Sequence, residues 1–338
     1  MKLEQKAEKL IKEYGMIDDC DNVLAAFSGG SDSSAMLFYL VKKFGVKRVF
    51  AAHLNHMIRG DAADGDERFA VETCKKYGVE IFTDRRNIPE IAESSKKSVE
   101  EAARDERYDF LNGTANILGG VKIATAHILP DNTESVLLNL ARGCGSDGLR
   151  GIPPVNNNII RPFLLCSKQD ILDYCKENNI DFTEDATNSE VLYARNFIRL
   201  NIASKLKERF KNSDENIFKT SEIMRTLSDF TDSLAEDTIK ENDNIITIDF
   251  LLSSHTALRR AIISKLYEKA FFSGTEDLKY IRKLEYRHIL YVEEFIGKYR
   301  NFSNINKSLD LPGFVTAFIT ENKLILKKIK NKKTSRKI

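Results

Sequence analysis

Between residues 22 and 165, short apolar runs alternate with longer segments whose apolar positions recur every three or four residues. The runs are NVLAAF (22–27), RVFAAHLN (48–55), VEIFTD (79–84), VKIATAH (121–127) and NIIRPFL (158–164). Their shortness and their β-branched and aromatic content predict strands, and the segments between them predict helices. Strands that alternate with helices pair in parallel and are covered on both faces, so the expected fold is α/β, a Rossmann-like parallel sheet between helical layers. The pattern changes near 190. VLYARNFIRLNIASKLKERF and the acid-rich stretch to Asn244 read as helix, and residues 245–326 read as two or three helices with GFVTAFIT and KLILKK turning around Glu321-Asn322. The expected organisation is a first domain over 1–210, a helical linker over 211–243, a small, mostly helical α+β domain over 244–330 and a basic tail over 331–338.

In open parallel sheets ligands bind beyond the carboxyl ends of the strands. Unusual polar clusters stand there: SGGSDSS after the first run, HLNHMIRGD after the second and AHILPDNTES after the fourth. The first is a strand, a tight turn and a helix, with helical spacing resuming at Met36, Leu37, Leu40 and Val41. Unpaired N–H groups at a helix start attract an anion, and Gly29 and Gly30 let the chain approach it closely. Ser28, Ser31, Ser33 and Ser34 add hydroxyls. Neither G-x-x-x-x-G-K-[ST] nor G-x-G-x-x-G is present, so the loop suits a pyrophosphate held by backbone and hydroxyls without a lysine. The plainer alternative is a Gly-Ser turn with Asp32 or Ser31 as an ordinary N-cap.

The other clusters divide in the same way between ligand and scaffold. His53 and His56 lack a third His or Cys nearby, which disfavours a metal, so His53 or Asn55 is expected to face a nucleotide and Arg59 a phosphate. On SVEEAARDERYDFL, Arg104, Arg107 and Tyr108 share a helix face; the arginines either pair with Glu100 or Glu101 or form a fork for phosphate. His127 ends the fourth strand, and Asp131 and Glu134 fall on the first turn of the helix after it. Acids there are expected for capping alone. Beside a phosphate loop they would repel a triphosphate unless they hold Mg²⁺ or receive an amine, and Asp32 suggests Mg²⁺ again. Arg161, Glu184, Asp185, Asn188, Arg195, Asn196 and Arg199 otherwise read as a polar network tying two domains together.

Composition narrows the class without naming the chemistry. With 42% hydrophobic and 30% charged residues and a formal net charge of +2, the 338-residue chain reads as a soluble protein that meets a polyanion through local patches. No run of about 18 apolar residues and no signal-peptide core occur, so no membrane association and a cytoplasmic location are expected. Five cysteines without a C-x-x-C pair argue against a disulfide scaffold or a zinc or iron–sulfur site; they are expected to be reduced and half-buried. The last twelve residues hold seven Lys or Arg and no acid.

Taken in order, SGGSDS, HLNHMIR, EEAARDERY, AHILPDNTES, LARGCGSDGLRGI, RPFL and EDATNSEVLYARNFIR resemble the tRNA(Ile)-lysidine synthases, a family of N-type ATP pyrophosphatases with an S-G-G-x-D-S loop. The likeness runs from about 20 to 210, and LDLPGFVTAFITENKLILKK resembles the family's next domain. It implies a ligase forming a C–N bond. ATP adenylates the C2 carbonyl oxygen of the first anticodon cytidine of a CAU-bearing tRNA(Ile), and the ε-amine of free L-lysine then displaces AMP. Ala26, Phe27, Ser28, Gly29, Gly30, Ser31, Asp32, Ser33, His53, Asn55, Arg59 and His127 would bind ATP, with Asp32 on Mg²⁺. Asp32, Arg104, Arg107, Asp131 and Glu134 would carry the chemistry. Lysine or tRNA would meet Asp131, Glu134, Arg142, Arg161, Asp185, Asn188, Arg195 and Asn196. A homodimer is a further expectation. Where the family usually has H-x-x-D-D-Q-x-E-T, this chain has Pro130 in place of the first aspartate, a residue that a first helical turn tolerates. Longer members carry a further tRNA-gripping domain, before which this sequence is expected to end.

Overall fold

The structure, a computed structural model, describes residues 2–58, 60–183, 194–242, 245–272, 284–299 and 306–329. Strands β1 (Val23–Ala26), β2 (Val49–Asn55), β3 (Glu80–Arg85), β4 (Lys122–Ala124), β5 (Val155–Asn156) and β6 (Ile159–Ile160) form one sheet in the order β3-β2-β1-β4-β6-β5. All neighbours are parallel except β5 and β6. The fold is the expected α/β sheet, but the fifth run pairs over two residues only. It is reached through a hairpin with Asn157 at φ 54°, a conformation asparagine tolerates, and it stops at Arg161-Pro162, where proline cannot donate to a ladder.

Helices α1 (Leu3–Glu13), α2 (Ser31–Phe44), α3 (Asp61–Tyr77), α4 (Ile88–Ser95), α5 (Val99–Ile117), α6 (Leu129–Arg142), α7 (Ser146–Leu149) and α8 (Lys168–Glu177) precede α9 (Ala194–Phe197). From α9 the chain continues through a π-helical segment, Ile198–Ala203, into α10 (Ser204–Arg209) and then α11 (Ser213–Glu241). Alternation along β1 distributes its side chains between two cores. Val23 and Ala25 pack with Leu10 of α1, Leu37 and Leu40 of α2 and Ile171 of α8, whereas Leu24 packs on the other face with Leu111 and Ala115 of α5. Two ties hold α1 against α8: Lys6 pairs with Asp170 at 2.5 Å, and the Tyr174 hydroxyl donates to Glu4 at 2.9 Å.

Contacts divide the chain into two units, 1–143 with 148–221, and 144–147 with 222–338, so the boundary falls within α11. The second unit has its own core around Ile263, Tyr267, Val292, Ala317 and Ile319. Its antiparallel sheet has the order β7-β10-β9-β8, with β7 (Ile246–Thr247), β8 (Lys307–Leu311), β9 (Val315–Thr320) and β10 (Lys323–Lys328). Packed with it are α12 (Ile248–Ser253), α13 (Thr256–Phe272) and α14 (Tyr286–Lys298). The tail 331–338 lies outside the described residues. Among the described residues no helix is long and apolar enough to cross a membrane. The cysteines are not uniformly half-buried: Cys74, Cys166 and Cys175 are buried, Cys20 and Cys144 exposed.

Candidate active site

A cleft of about 1080 Å³ opens at the carboxyl ends of β1, β2 and β4, where the chain, having built β2 and β3 on one side of β1, turns to the other side. The β1 loop forms its floor. Gly29 has φ 89°, and a Cβ there would stand 3.1 Å from Thr183 Oγ1, whose backbone N–H donates to the Gly29 carbonyl at 2.9 Å. Two serines serve the loop itself. Ser33 Oγ donates to the Gly30 carbonyl at 3.0 Å, and Ser34 Oγ donates to the Gly29 carbonyl at 3.2 Å. The N-cap of α2 is Gly30, which has no side-chain cap, so neither Asp32 nor Ser31 takes that role. The first-turn N–H groups of Ser31, Asp32 and Ser33 are left without a capping side chain.

Asp32 has a partner that the local sequence does not announce. Lys168, the first residue of α8, places Nζ 2.6 Å from Asp32 Oδ1 and 2.8 Å from Ser31 Oγ. Both residues line the cleft. The phosphate loop therefore does have a lysine beside it, delivered from another segment. Its sequence signal is the capping pattern of Ser167 and Asp170, which fixes a helix start directly after the β6 turn.

At the end of β2, His53 is buried, and its Nδ1–H donates to the Phe27 carbonyl at 2.9 Å, leaving Nε2 as an acceptor. Burial lowers its proton affinity. Asn55 lines the cleft, but its amide donates to Asp64 at 3.1 Å and Glu67 at 2.9 Å, and its oxygen accepts from Met57 N–H. Those bonds commit Asn55 to shaping the β2–α3 turn.

Beyond β4, Thr125 Oγ and His127 Nδ1 are hydrogen-bonded at 2.9 Å. Burial first, and then the charges of Arg161, Arg195, Arg107 and Arg104, hold the His127 imidazole well below its ordinary pKa, so it is neutral at pH 7. Arg104 does not pair with Glu100 or Glu101; its guanidinium lies 5.8 Å from the Tyr108 ring centroid. Arg107 lines the cleft, where desolvation, reinforced by Arg104 and Arg195, lowers its proton affinity. Arg161 is 5% exposed; Nη1 donates to the Pro153 carbonyl at 2.6 Å, and Nε has no partner. Among the described residues no carboxylate pairs with Arg104, Arg107 or Arg161. Of the three, Arg107 lines the cleft and Arg104 and Arg161 do not, and an uncompensated guanidinium at a cleft is a standing attraction for an anion.

Pro130 is the second residue of α6, and the helix starts normally around it. Asp131 accepts the Ile128 N–H at 2.8 Å, which is the capping role expected of an acid there. Its other oxygen accepts from Arg195 Nη2 at 3.1 Å, and Glu134, 5% exposed, accepts from Arg195 Nε at 2.8 Å. Arg199, in the π-helical segment, comes within 3.7 Å of Glu134. π-Segments recur at functional sites because they re-aim side chains. Here the charge that two carboxylates need is supplied by Arg195, itself in the cleft wall. Arg161, Arg195 and Arg199, with the Asp131 and Glu134 that Arg195 meets, all belong to the first unit. Burial, opposed by Arg195, pushes the Asp131 carboxyl up to about 6.

The far side of α6 is anchored by Asn132, whose oxygen accepts the Ile152 N–H at 2.9 Å, and by Thr133, which donates to Asp214 at 2.7 Å. Arg142 is exposed at the end of α6, away from the cleft lining, while Asn196 lines it. Arg59, Asp185 and Asn188 lie outside the described residues. Lys168 lines the site and was not singled out from sequence, and Tyr108, read from sequence only as sharing a helix face with Arg104 and Arg107, lines it too. Among the described residues no three His, Cys, Asp or Glu side chains converge as metal ligands.

Comparison with known proteins places this geometry in context. The PP-loop domain family model matches residues 1–206. The chain is 35% identical over 338 residues to the tRNA(Ile)-lysidine synthase of Caldanaerobacter subterraneus subsp. tengcongensis, covering 97% of this chain and 70% of that one. It is 34% identical to the enzyme of the same name from Clostridium perfringens, covering 89% of this chain and 66% of that one. Among solved structures, the U34-tRNA thiolase NcsA from Methanococcus maripaludis with its [4Fe-4S] cluster aligns over 66% of this chain and 78% of that one, with a TM-score of 0.55 and 20% identity, a likeness of fold.

Proposed function

Because the chain belongs to the tRNA(Ile)-lysidine synthase family of PP-loop proteins, we propose that its cleft uses ATP to join lysine to a base of tRNA(Ile), giving lysidine, AMP and pyrophosphate. The observation that carries this reading is a cleft lined by an uncapped phosphate loop, by Arg107, which has no carboxylate partner among the described residues, and by Arg195, which grips the Asp131–Glu134 pair behind the lining.

The reaction needs an anion site, a cation site and an excluded solvent. N–H groups of Ser31, Asp32 and Ser33 bind the departing pyrophosphate, where the dipole of α2 favours negative charge. Arg107, with Arg104 behind it, stabilises the charge that builds on the α-phosphate as the cytidine C2 oxygen attacks. Neutral His127 offers a hydrogen bond without adding charge. Asp131 and Glu134 receive the ammonium of L-lysine, which competes with Arg195 for them. Asp32 is 32% exposed and presents one hard oxygen, which fits the common Mg²⁺ arrangement of one or two carboxylates completed by substrate phosphates. Bound there, Mg²⁺ supplies charge neutralisation to the phosphates.

Asp131 gives the reaction a pH dependence of defined sign. Its carboxyl is raised from 3.8 to about 6, so the folded state holds that proton more tightly than the unfolded chain does. Stability from this group therefore falls as pH rises between those values, while its ion pair with Arg195 is complete only above about 6. With lysine below saturation, the rate is expected to rise through pH 6, and Asp131→Asn is expected to remove that inflection. A profile flat between pH 5 and 7 in the unsubstituted protein would deny Asp131 this part.

The decisive assay incubates the chain with ATP, Mg²⁺, labelled lysine and tRNA bearing a CAU anticodon, then digests the tRNA to nucleosides. Labelled lysidine is the expected product. Label that stays out of tRNA, while ATP is cleaved to AMP, would overturn the reading.

A further inference from the structure

We propose that Lys168 is the phosphate-binding lysine that the β1 loop lacks in its own sequence, held on Asp32 and Ser31 until the outer phosphates of ATP, or pyrophosphate, enter the loop and take it over. The inference rests on the reading of the cleft as an ATP site and adds to it a residue, a resting partner and a ligand group.

The placement of Lys168 is built. Ser167 Oγ accepts from Asp170 N–H at 3.1 Å, and the Asp170 carboxylate accepts from Ser167 N–H at 2.7 Å, so the first turn of α8 is closed on both sides. Asp170 is anchored in turn by Lys6 of α1. The underside of α8 is packed against α2, with Ile171 and Tyr174 in the same core as Leu37 and Leu40, and Cys175 Sγ 3.7 Å from the Ser31 carbonyl. The backbone of Lys168 is therefore fixed beside the loop, while its flexible stem leaves Nζ free to move.

The ion pair it makes has little structural work to do. Lys168 is 40% exposed and Asp32 32%, and an ion pair at that exposure contributes little to folding. Its value is electrostatic. Asp32 sits on the first turn of α2, where a phosphate is to bind, and its charge would oppose that phosphate. Lys168 cancels the charge while the loop is empty. When a pyrophosphate group arrives, it offers several anionic oxygens against one carboxylate, and an ammonium with three donors turns toward the greater charge. Asp32 is then released to a metal ion. Ser31 Oγ, within hydrogen-bond reach of Nζ, steadies the ammonium at rest.

The test measures binding, which is independent of lysidine formation. Pyrophosphate and ATP are titrated calorimetrically into the full chain without tRNA, for the unsubstituted protein, Lys168→Met and Lys168→Arg, with a melting curve for each. Loss of one charge-assisted hydrogen bond predicts pyrophosphate affinity about ten- to hundredfold weaker in Lys168→Met. Lys168→Arg should recover most of it, and the KM for lysine should stay within about twofold in both. If Lys168→Met does not fold, Lys168→Gln takes its place with the same expected loss. Pyrophosphate affinity unchanged in a folded, uncharged variant would overturn the inference and leave the reading of the cleft intact. Failure of the unsubstituted protein to bind either pyrophosphate or ATP would overturn the ATP site itself, and with it this role for Lys168.

Discussion

Asp32→Ala is expected to lower AMP formation about 10³-fold, the upper range for removing one preorganised electrostatic contact, while the protein remains folded. Asp32 occupies the second position of α2, part-exposed, and caps nothing, since the N-cap is Gly30. What folding loses is one solvent-accessible ion pair with Lys168, worth about 0 to 1 kcal/mol. For a chain of this size that is a shift in melting temperature of about 2–4 °C at most. Chromatographic measurement of AMP in the presence of tRNA, alongside a thermal melt, separates the two effects. AMP released at the unsubstituted rate would remove Asp32 from the phosphate site, and a collapse of the melt would show a structural role instead.

Glu134→Ala should act on both lysine use and stability, and in separable ways. Its carboxylate is almost fully buried and is met by Arg195 at 2.8 Å and Arg199 at 3.7 Å. Breaking a buried pair costs about 3–5 kcal/mol, but Arg195 is 29% exposed and keeps Asp131, so about 2 kcal/mol is expected. The lysine KM should rise at least about tenfold, because one of two carboxylates facing the ammonium is gone. Adenylated tRNA should accumulate, since the ATP step does not use Glu134. Glu134→Gln, which keeps the hydrogen bonds but not the charge, should restore much of the melting temperature and little of the lysine affinity. Unchanged lysine kinetics together with a lowered melt would make Glu134 an anchor for α9 and nothing more.

The sheet and its polar edge were legible because both are local properties of sequence. Alternating apolar runs specify parallel strands, and SGGSDSS, HLNHMIRGD and AHILPDNTES stand where strands end, so the residues around β1, β2 and β4 fall at one cleft. What side chains do there is decided by partners remote in sequence. Asn55 has the composition of a ligand contact, yet Asp64 and Glu67 of the next helix take its amide. Arg104 and Arg107 share a helix with Glu100 and Glu101, and spacing alone does not say whether they pair; they do not, and Arg104 lies over Tyr108. The acids of α6 share a cation, Arg195, that stands 61 residues beyond Glu134, and no local pattern announces it. The β5–β6 hairpin was hidden for another reason. Two-residue strands leave no periodicity to detect, and only the asparagines at the turn signal them.

The contact between Asp32 and Lys168 joins residues 136 apart in the chain. On a ribosome adding about 5–20 residues each second, roughly 7 to 27 seconds separate the emergence of the loop from that of its lysine. Over that interval β2, β3, β4 and Arg161 are made in turn, while the rest of α8 and Arg195 follow Lys168. Until Lys168 is made, the loop has its glycines, serines and Asp32 but not the ammonium that Asp32 pairs with in the folded chain. The lysine that neutralises Asp32 in the folded protein is thus one of the later parts of the cleft to be made, and the loop acquires its resting partner only when α8 packs on α2.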